Sequence, residues 1–93
     1  METDEEKTKQ KGIDDDFLEG MFEMNMGIEE CETKAELIPI ESEIKLMKQL
    51  HLKNAATAFS NMNYENTLIE LNRFAYYSKV GKDLEDKKVN LTN

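Results

Sequence analysis

Few residues of this sequence are of the types that carry out chemistry. His51 and Cys31 are the single histidine and the single cysteine, and no serine, cysteine or aspartate is spaced to act as a catalytic partner of His51. Asp14-Asp15-Asp16 supplies carboxylates of the kind that bind magnesium, but consecutive aspartates before a helix are more typical of N-terminal caps. The sequence therefore predicts no enzyme, no cofactor and no metal site, and it favours structural roles for His51 and Cys31.

The composition excludes several classes of partner. The 93 residues carry 20 acidic and 12 basic side chains, and the resulting net charge of −8 disfavours binding to nucleic acid and to anionic membranes. No apolar run approaches the roughly 18 residues that a membrane span requires, and the acidic start is unlike a signal or transit peptide. A lone cysteine forms no intrachain disulfide and favours a reducing compartment. These features predict an acidic protein-binding domain.

The hydrophobic periodicity predicts an all-α fold, a three-helix bundle preceded by a disordered acidic tail. The tail covers residues 1–13, the helical body covers 14–88, and a frayed end covers 89–93. Ile13 is the only large apolar side chain of the tail after Met1. The predicted helices span 14–32, 39–60 and 64–86.

The start of the second helix has two candidates. Thr33 and Glu36 have the spacing of a capping box, but a helix that begins there contains Pro39 in its interior. Pro39 as the first helical residue avoids the problem because no hydrogen bond is lost at that position. We therefore predict that this helix begins at Pro39.

Each helix has a stripe of side chains at helical spacing that predicts its buried face. In the first helix the stripe comprises Phe17, Met21, Met24, Ile28 and Cys31. In the second it comprises Ile40, Ile44, Met47, His51, Ala55, Ala58 and Met62. In the third it comprises Tyr64, Leu68, Leu71, Ala75 and Ser78.

Apolar residues remain after these stripes are filled. Leu18, Phe22 and Met26 form a second stripe on the first helix. Ile69, Tyr76 and Val80 flank the stripe of the third helix. Surplus apolar groups at helical spacing indicate a partner surface, although a compact bundle that buries both faces would give the same pattern. Acidic residues on the first helix could steer a basic partner or simply be solvated; they are Glu19, Glu23, Glu29 and Glu30.

Two segments of the chain resemble a known family. DDDFLEGMFEMNMGIEE is similar to the opening helix of the C-terminal domain of HscB-type co-chaperones, and AFSNMNYENTLIELNRFAYYSKVGKDLEDK is similar to the end of that domain. The resemblance covers about residues 14–88, with the right spacing between its two ends.

The resemblance implies a three-helix domain that binds an IscU-type scaffold protein, on which iron–sulfur clusters are assembled. The family's scaffold-binding residues correspond to Leu18, Phe22, Glu23, Glu30 and Tyr76. An Hsp70 partner is implied only through a J-domain, and the His-Pro-Asp tripeptide of J-domains is absent from this sequence. The implied location is the mitochondrial matrix for a eukaryotic parent and the cytoplasm otherwise, and the chain is expected to be one domain of a longer co-chaperone. The alternative is a structural module that forms a homodimer through the Leu18/Phe22 stripe.

Overall fold

The computed structural model describes residues 11–91 and consists of three helices with no strand in that part of the chain. Helix α1 spans Asp15–Glu30, α2 spans Lys34–Ser60 and α3 spans Tyr64–Asn90. The all-α, three-helix prediction is therefore confirmed. Residues 1–10 of the predicted tail and 92–93 of the predicted frayed end lie outside the described residues, but Val89 and Asn90 are helical, so the predicted end of the third helix at residue 86 was too early. None of these helices combines the length and the apolar character that crossing a bilayer demands.

The helices run up, down and up. The N-terminal end of α1 meets the middle of α3, where Phe17 packs on Tyr76, and its C-terminal end meets Lys87 further along α3, so α1 and α3 are parallel. Helix α2 connects them in the antiparallel direction. A 16-residue helix is about 24 Å long and a 27-residue helix about 40 Å, so the α2–α3 hairpin extends well beyond α1.

The buried face of α1 is the predicted one. Met21, Ile28 and Cys31 are buried, and Phe17 and Met24 pack against them. The N-cap is Asp14, whose Oδ1 accepts a hydrogen bond of 2.8 Å from the backbone N–H of Phe17. The interpretation of the aspartates as capping residues thus holds for Asp14.

Helix α2 begins five residues before the predicted start. Thr33 caps it, and both bonds of the capping box with Glu36 are present, so Pro39 lies inside the helix. The prediction of Pro39 as the first helical residue was wrong. The capping box and the complete burial of Leu37 in the same part of the helix offset the cost of an interior proline.

A tight turn joins α2 to α3. Met62 has a positive φ of 61°, and the N–H of Asn63 donates a 2.8 Å hydrogen bond to the carbonyl of Ala58. The N–H of Met62 donates to the carbonyl of Phe59, which completes a Schellman motif. Met62 is 74% exposed, so its predicted place in the buried stripe of α2 was wrong.

The buried face of α3 differs from the predicted one. Its core residues are Tyr77, Val80 and Leu84. The predicted stripe instead faces outward, and its exposed or only partly buried members are Tyr64, Leu68, Leu71, Ala75 and Ser78. The buried face was hard to recognise because its earlier turns carry Glu70 and Arg73, whose polar groups have partners within the fold.

Residues 11–13 pack on α3, although they were predicted to be part of a flexible tail. Ile13 is 4% exposed, and the Gly12 carbonyl accepts a 2.8 Å hydrogen bond from Nε of Arg73. Gly12 has a φ of 82°, and a Cβ atom there would lie 2.5 Å from Cγ2 of Ile69. Glycine is therefore needed for both the backbone conformation and the close approach. We call residues 11–13 the N-terminal strap.

Candidate functional site

Helix α1 exposes an apolar surface on the side opposite its core contacts. Leu18, Phe22 and Met26 are 39%, 63% and 45% exposed, whereas Met21 and Ile28 are buried. The four-residue spacing places the three exposed side chains along one face. We call them the α1 stripe. The bundle thus buries one face of α1 and leaves the surplus apolar residues of this helix open to solvent. Of the surplus residues set aside on the third helix, Val80 is buried and Ile69 and Tyr76 are partly buried, so the prediction of a partner surface there was wrong for Val80.

Aromatic packing fixes the rotation of α1 about its axis. The ring of Phe17 meets Tyr76 edge-on at 5.8 Å and Tyr77 edge-on at 5.9 Å between centroids. Phe17 precedes Leu18, so holding Phe17 against α3 turns the α1 stripe outward. Tyr76 is partly buried at the α1–α3 boundary, and it adjoins the site through Phe17.

Arg73 is a further positioning residue, and the sequence did not reveal it. Its guanidinium carbon lies 5.4 Å from the Phe17 ring centroid, and its Nε–H donates to the Gly12 carbonyl. One side chain of α3 therefore connects the N-terminal strap to the first turn of α1. A lone arginine in a charged helix gave no pattern from which this contact could be predicted.

The acidic candidates lie at different places around α1. Glu23 is five residues from Leu18, which is about 140° around the helix. It lines a groove of about 270 Å³ on the α2 side, together with Gly20, Gly27 and Glu43. Around the helix axis, Leu18 is one edge of the α1 stripe and Met26 is the other, so Glu23 lies beyond the Met26 edge, away from Leu18.

Glu30 lies in the last turn of α1, which contains no basic residue. A carboxylate at this end is disfavoured by the helix dipole, so it does not serve the stability of the helix. Nζ of Lys87 in α3 donates a 2.9 Å hydrogen bond to the carbonyl of Glu29 and compensates in part. Within residues 11–91, neither Glu23 nor Glu30 takes part in an ion pair. Both carboxylates are therefore available to a partner.

The residues with reactive side chains are buried in the bundle. Burial raises the pKa of the Cys31 thiol, and the charge of Glu36 raises it further; the thiol also donates to the Gly27 carbonyl at 3.2 Å. His51 is 6% exposed and pairs with Glu70. In the described part of the chain, no group of three histidine, cysteine or acidic side chains is placed to hold a metal ion.

One of three comparisons with known proteins identifies the family of this chain. A search of curated proteins and a search of solved structures each return no significant match. A family model described as the HSCB C-terminal oligomerisation domain matches residues 13–85. The match begins at the buried Ile13 and includes α1, α2 and most of α3. The chain therefore belongs to the family of HscB-type C-terminal domains.

Proposed function

We propose that this domain binds an IscU-type iron–sulfur scaffold protein through the α1 stripe. Leu18 and Phe22 supply the apolar contact, Tyr76 extends it at the α1–α3 boundary, and Glu23 and Glu30 provide a charged rim. The domain then acts as the docking part of a co-chaperone in iron–sulfur cluster assembly. Neither a covalent step nor a cofactor is required of the domain itself.

The observation that carries this proposal is the exposure of Phe22. A phenylalanine that is 63% exposed in the middle of a helix adds nothing to the core, while its neighbour Met21 is buried. Large aromatic side chains are common anchors at the centres of protein interfaces. Unpaired carboxylates around such an anchor favour a basic partner surface and select against an acidic one. The stripe has both properties.

Calorimetric titration with a purified IscU-type scaffold tests the proposal. Leu18→Ala combined with Phe22→Ala should weaken binding by at least about 2 kcal/mol, or roughly 30-fold in Kd, because two anchor side chains are truncated. Glu23→Gln with Glu30→Gln should mainly slow association, and that effect should fade as salt rises.

Leu46→Ala is the matched control, since Leu46 is 64% exposed but lies on α2. This variant should bind the scaffold as the unmodified chain does. Circular dichroism should show unchanged helix content in every variant. Equal affinity of the Leu18/Phe22 double variant and the Leu46 control would contradict the assignment of the surface.

A second candidate function is self-association, favoured by the word oligomerisation in the description of the matching family. In this case the α1 stripe of one copy packs against that of another. Sedimentation velocity distinguishes the two functions. The homodimer is supported if the unmodified chain is a dimer, the Leu18/Phe22 double variant is a monomer, and the chain does not bind the scaffold at any concentration. A monomer that binds the scaffold supports the first proposal.

Stimulation of an Hsp70 lies outside the function proposed for this domain, because the sequence has no His-Pro-Asp motif: the residue after His51 is Leu52, and the only proline is Pro39. Scaffold binding would take place where clusters are assembled. We propose that this place is the mitochondrial matrix for a eukaryotic parent and the cytoplasm for a bacterial one. Fluorescence microscopy of the tagged full-length protein tests this.

A further inference from the structure

A second apolar groove lies between α2 and α3. It consists of two adjoining depressions of about 250 and 210 Å³, which share Lys45 and Lys48. Ile44 and Leu84 lie under the first depression and are buried in the core, so the apolar surface that a ligand could reach is that of Leu52 and Phe74 in the second. We call it the lysine groove. Because apolar side chains line it and lysines border it, the groove resembles a binding surface more than a simple solvated face.

The lysine groove faces away from α1. Phe74 and Tyr76 are two positions apart on α3, so they project about 200° from one another. Tyr76 packs on Phe17 of α1, and Phe74 therefore points to the opposite side of the hairpin. Gly81 lines the groove as well, and a Cβ atom there would be 3.4 Å from Ile44, so the two helices approach closely beneath it. The groove is thus shallow and separate from the α1 stripe.

The charge of the groove is opposite to that of the chain. Lys45, Lys48 and Lys82 border it, and within residues 11–91 none of the three forms an ion pair. The acids at its end, Glu41 and Glu85, are both within 4 Å of Lys88, which lies beyond the groove. Within the described residues, three lysines without an ion pair therefore lie on one face of a chain whose net charge is −8, and the charge of Lys45 also lowers the pKa of Glu41.

Lys48 also shows how the rim and the floor are connected. Its Nζ lies 5.7 Å from the centroid of the Phe74 ring, within the range of a cation–π contact. This contact holds the ammonium group at the border of the apolar floor. A ligand that lays apolar side chains on Phe74 would bring its neighbouring polar groups directly to Lys48.

From this arrangement we infer that the lysine groove is a second docking surface, which binds an acidic amphipathic helix of another protein. The apolar side chains of that helix pack on Leu52 and Phe74, and its carboxylates meet Lys45, Lys48 and Lys82. The α1 stripe has an acidic rim and the groove a basic one, so each surface rejects the partner of the other. The domain would hold two different partners on opposite faces. This inference does not rest on the proposed scaffold binding.

The test uses a fluorescent synthetic helix of about 18 residues, with leucine and phenylalanine on one face and glutamate elsewhere. It should bind the full chain with an affinity that falls as salt rises. In the Lys45→Glu/Lys48→Glu variant, and in the single Lys82→Glu variant, Kd should rise, by about tenfold or more in the double variant. Lys53→Glu/Lys79→Glu is the control for the Lys45/Lys48 double variant. Both of its lysines are exposed outside the groove, and the two double variants change the net charge by the same amount.

Amide chemical shifts complete the test. The acidic probe should perturb residues around Phe74 and Leu52, and a matched probe with lysine in place of glutamate should instead perturb α1. Equal Kd values for the groove and control variants, or perturbations confined to α1, would overturn the inference. Self-association of the unmodified chain that Lys45→Glu/Lys48→Glu abolishes would also overturn it, because the groove would then be filled by α1 of a second copy.

Discussion

The Nδ1 atom of His51 and the Oε1 atom of Glu70 lie 2.6 Å apart across the interface of α2 and α3. Their side chains are 8% and 19% exposed. One face of the imidazole ring stacks on the ring of Tyr77, with 5.6 Å between centroids and 25° between the planes. Because an ionised carboxylate can only accept a hydrogen bond, we assign the hydrogen to Nδ1 of His51, which donates it to Glu70. The pair therefore satisfies a polar group in the core at the level where the hairpin extends past α1.

Replacement of one partner of this pair should be more harmful than replacement of both. Glu70→Leu leaves the buried Nδ1–H of His51 without an acceptor and should lower the free energy of unfolding by about 1–3 kcal/mol. His51→Phe with Glu70→Leu should cost less than the sum of the single changes. Urea denaturation measures all three variants. Additive effects would show that the two side chains are not coupled. As a control, Lys11→Gln breaks an exposed ion pair and should change the free energy of unfolding little.

The Glu41–Lys88 pair should make stability depend on pH. The hydrogen bond from Lys88 lowers the pKa of Glu41, and the same bond raises the pKa of Lys88. The contribution of Glu41 is therefore present above its unfolded pKa and lost as pH falls through the lowered folded value. That of Lys88 is lost only as pH rises through its raised folded value.

A double-mutant cycle with Glu41→Gln and Lys88→Met measures this coupling. It should be favourable near neutral pH and vanish in acid once Glu41 is protonated in the folded chain. The same cycle on the exposed pair Lys11–Glu65 is the control. A coupling free energy that stays constant from acid to neutral pH would contradict the assigned pKa shifts.

Cys31 should react slowly in the folded chain. Burial raises the pKa of its thiol, so the nucleophilic thiolate is scarce at neutral pH, and the side chain is 8% exposed. Alkylation by iodoacetamide should be more than about tenfold slower than in denaturant at the same pH. Mass spectrometry follows the modification. Equal rates in the two states would mean that the end of α1 is not packed as described.

Met62→Gly should stabilise the protein. Met62 has a φ of 61° at the C-terminal end of α2, where residues with a Cβ atom are strained, and it is 74% exposed. Relief of that strain should add about 0.5–1 kcal/mol and raise Tm by a few degrees. Met62→Ala keeps the strain and should give no increase. A similar gain in both variants would place the effect in the side chain and not in the backbone.

The number of helices and the core face of α1 could be predicted from the sequence because Phe17, Met21 and Ile28 have an unbroken helical spacing. The same spacing set Leu18 and Phe22 apart from the core stripe but left open whether the bundle buries them; the structure shows that both are exposed. The assignment of these residues, with Glu23, Glu30 and Tyr76, to scaffold binding depends on the family and remains a prediction.

The errors have local physical causes. The buried face of α3 was predicted wrongly because Glu70 and Arg73 occupy it, and a pattern of apolar residues cannot show that their polar groups find partners. The start of α2 was predicted too late because the cost of Pro39 was weighed without the burial of Leu37. Ile13 was assigned to the tail because its segment is held by contacts of Lys11 and Gly12 with α3, far along the chain.

Because α1 is held by few contacts, among them those of the N-terminal strap and Arg73, it should open at a lower free energy than the rest of the bundle. An isolated helix of this length is marginally stable in water, and α1 buries only Met21 and Ile28 within its span. Its amide protons should therefore exchange with solvent through a local opening that leaves the α2–α3 hairpin intact. A protein that binds the α1 stripe would shift that equilibrium toward the closed form. The affinity of the surface would then include the free energy of ordering α1, so a change in the strap at Gly12 could weaken binding without touching the partner.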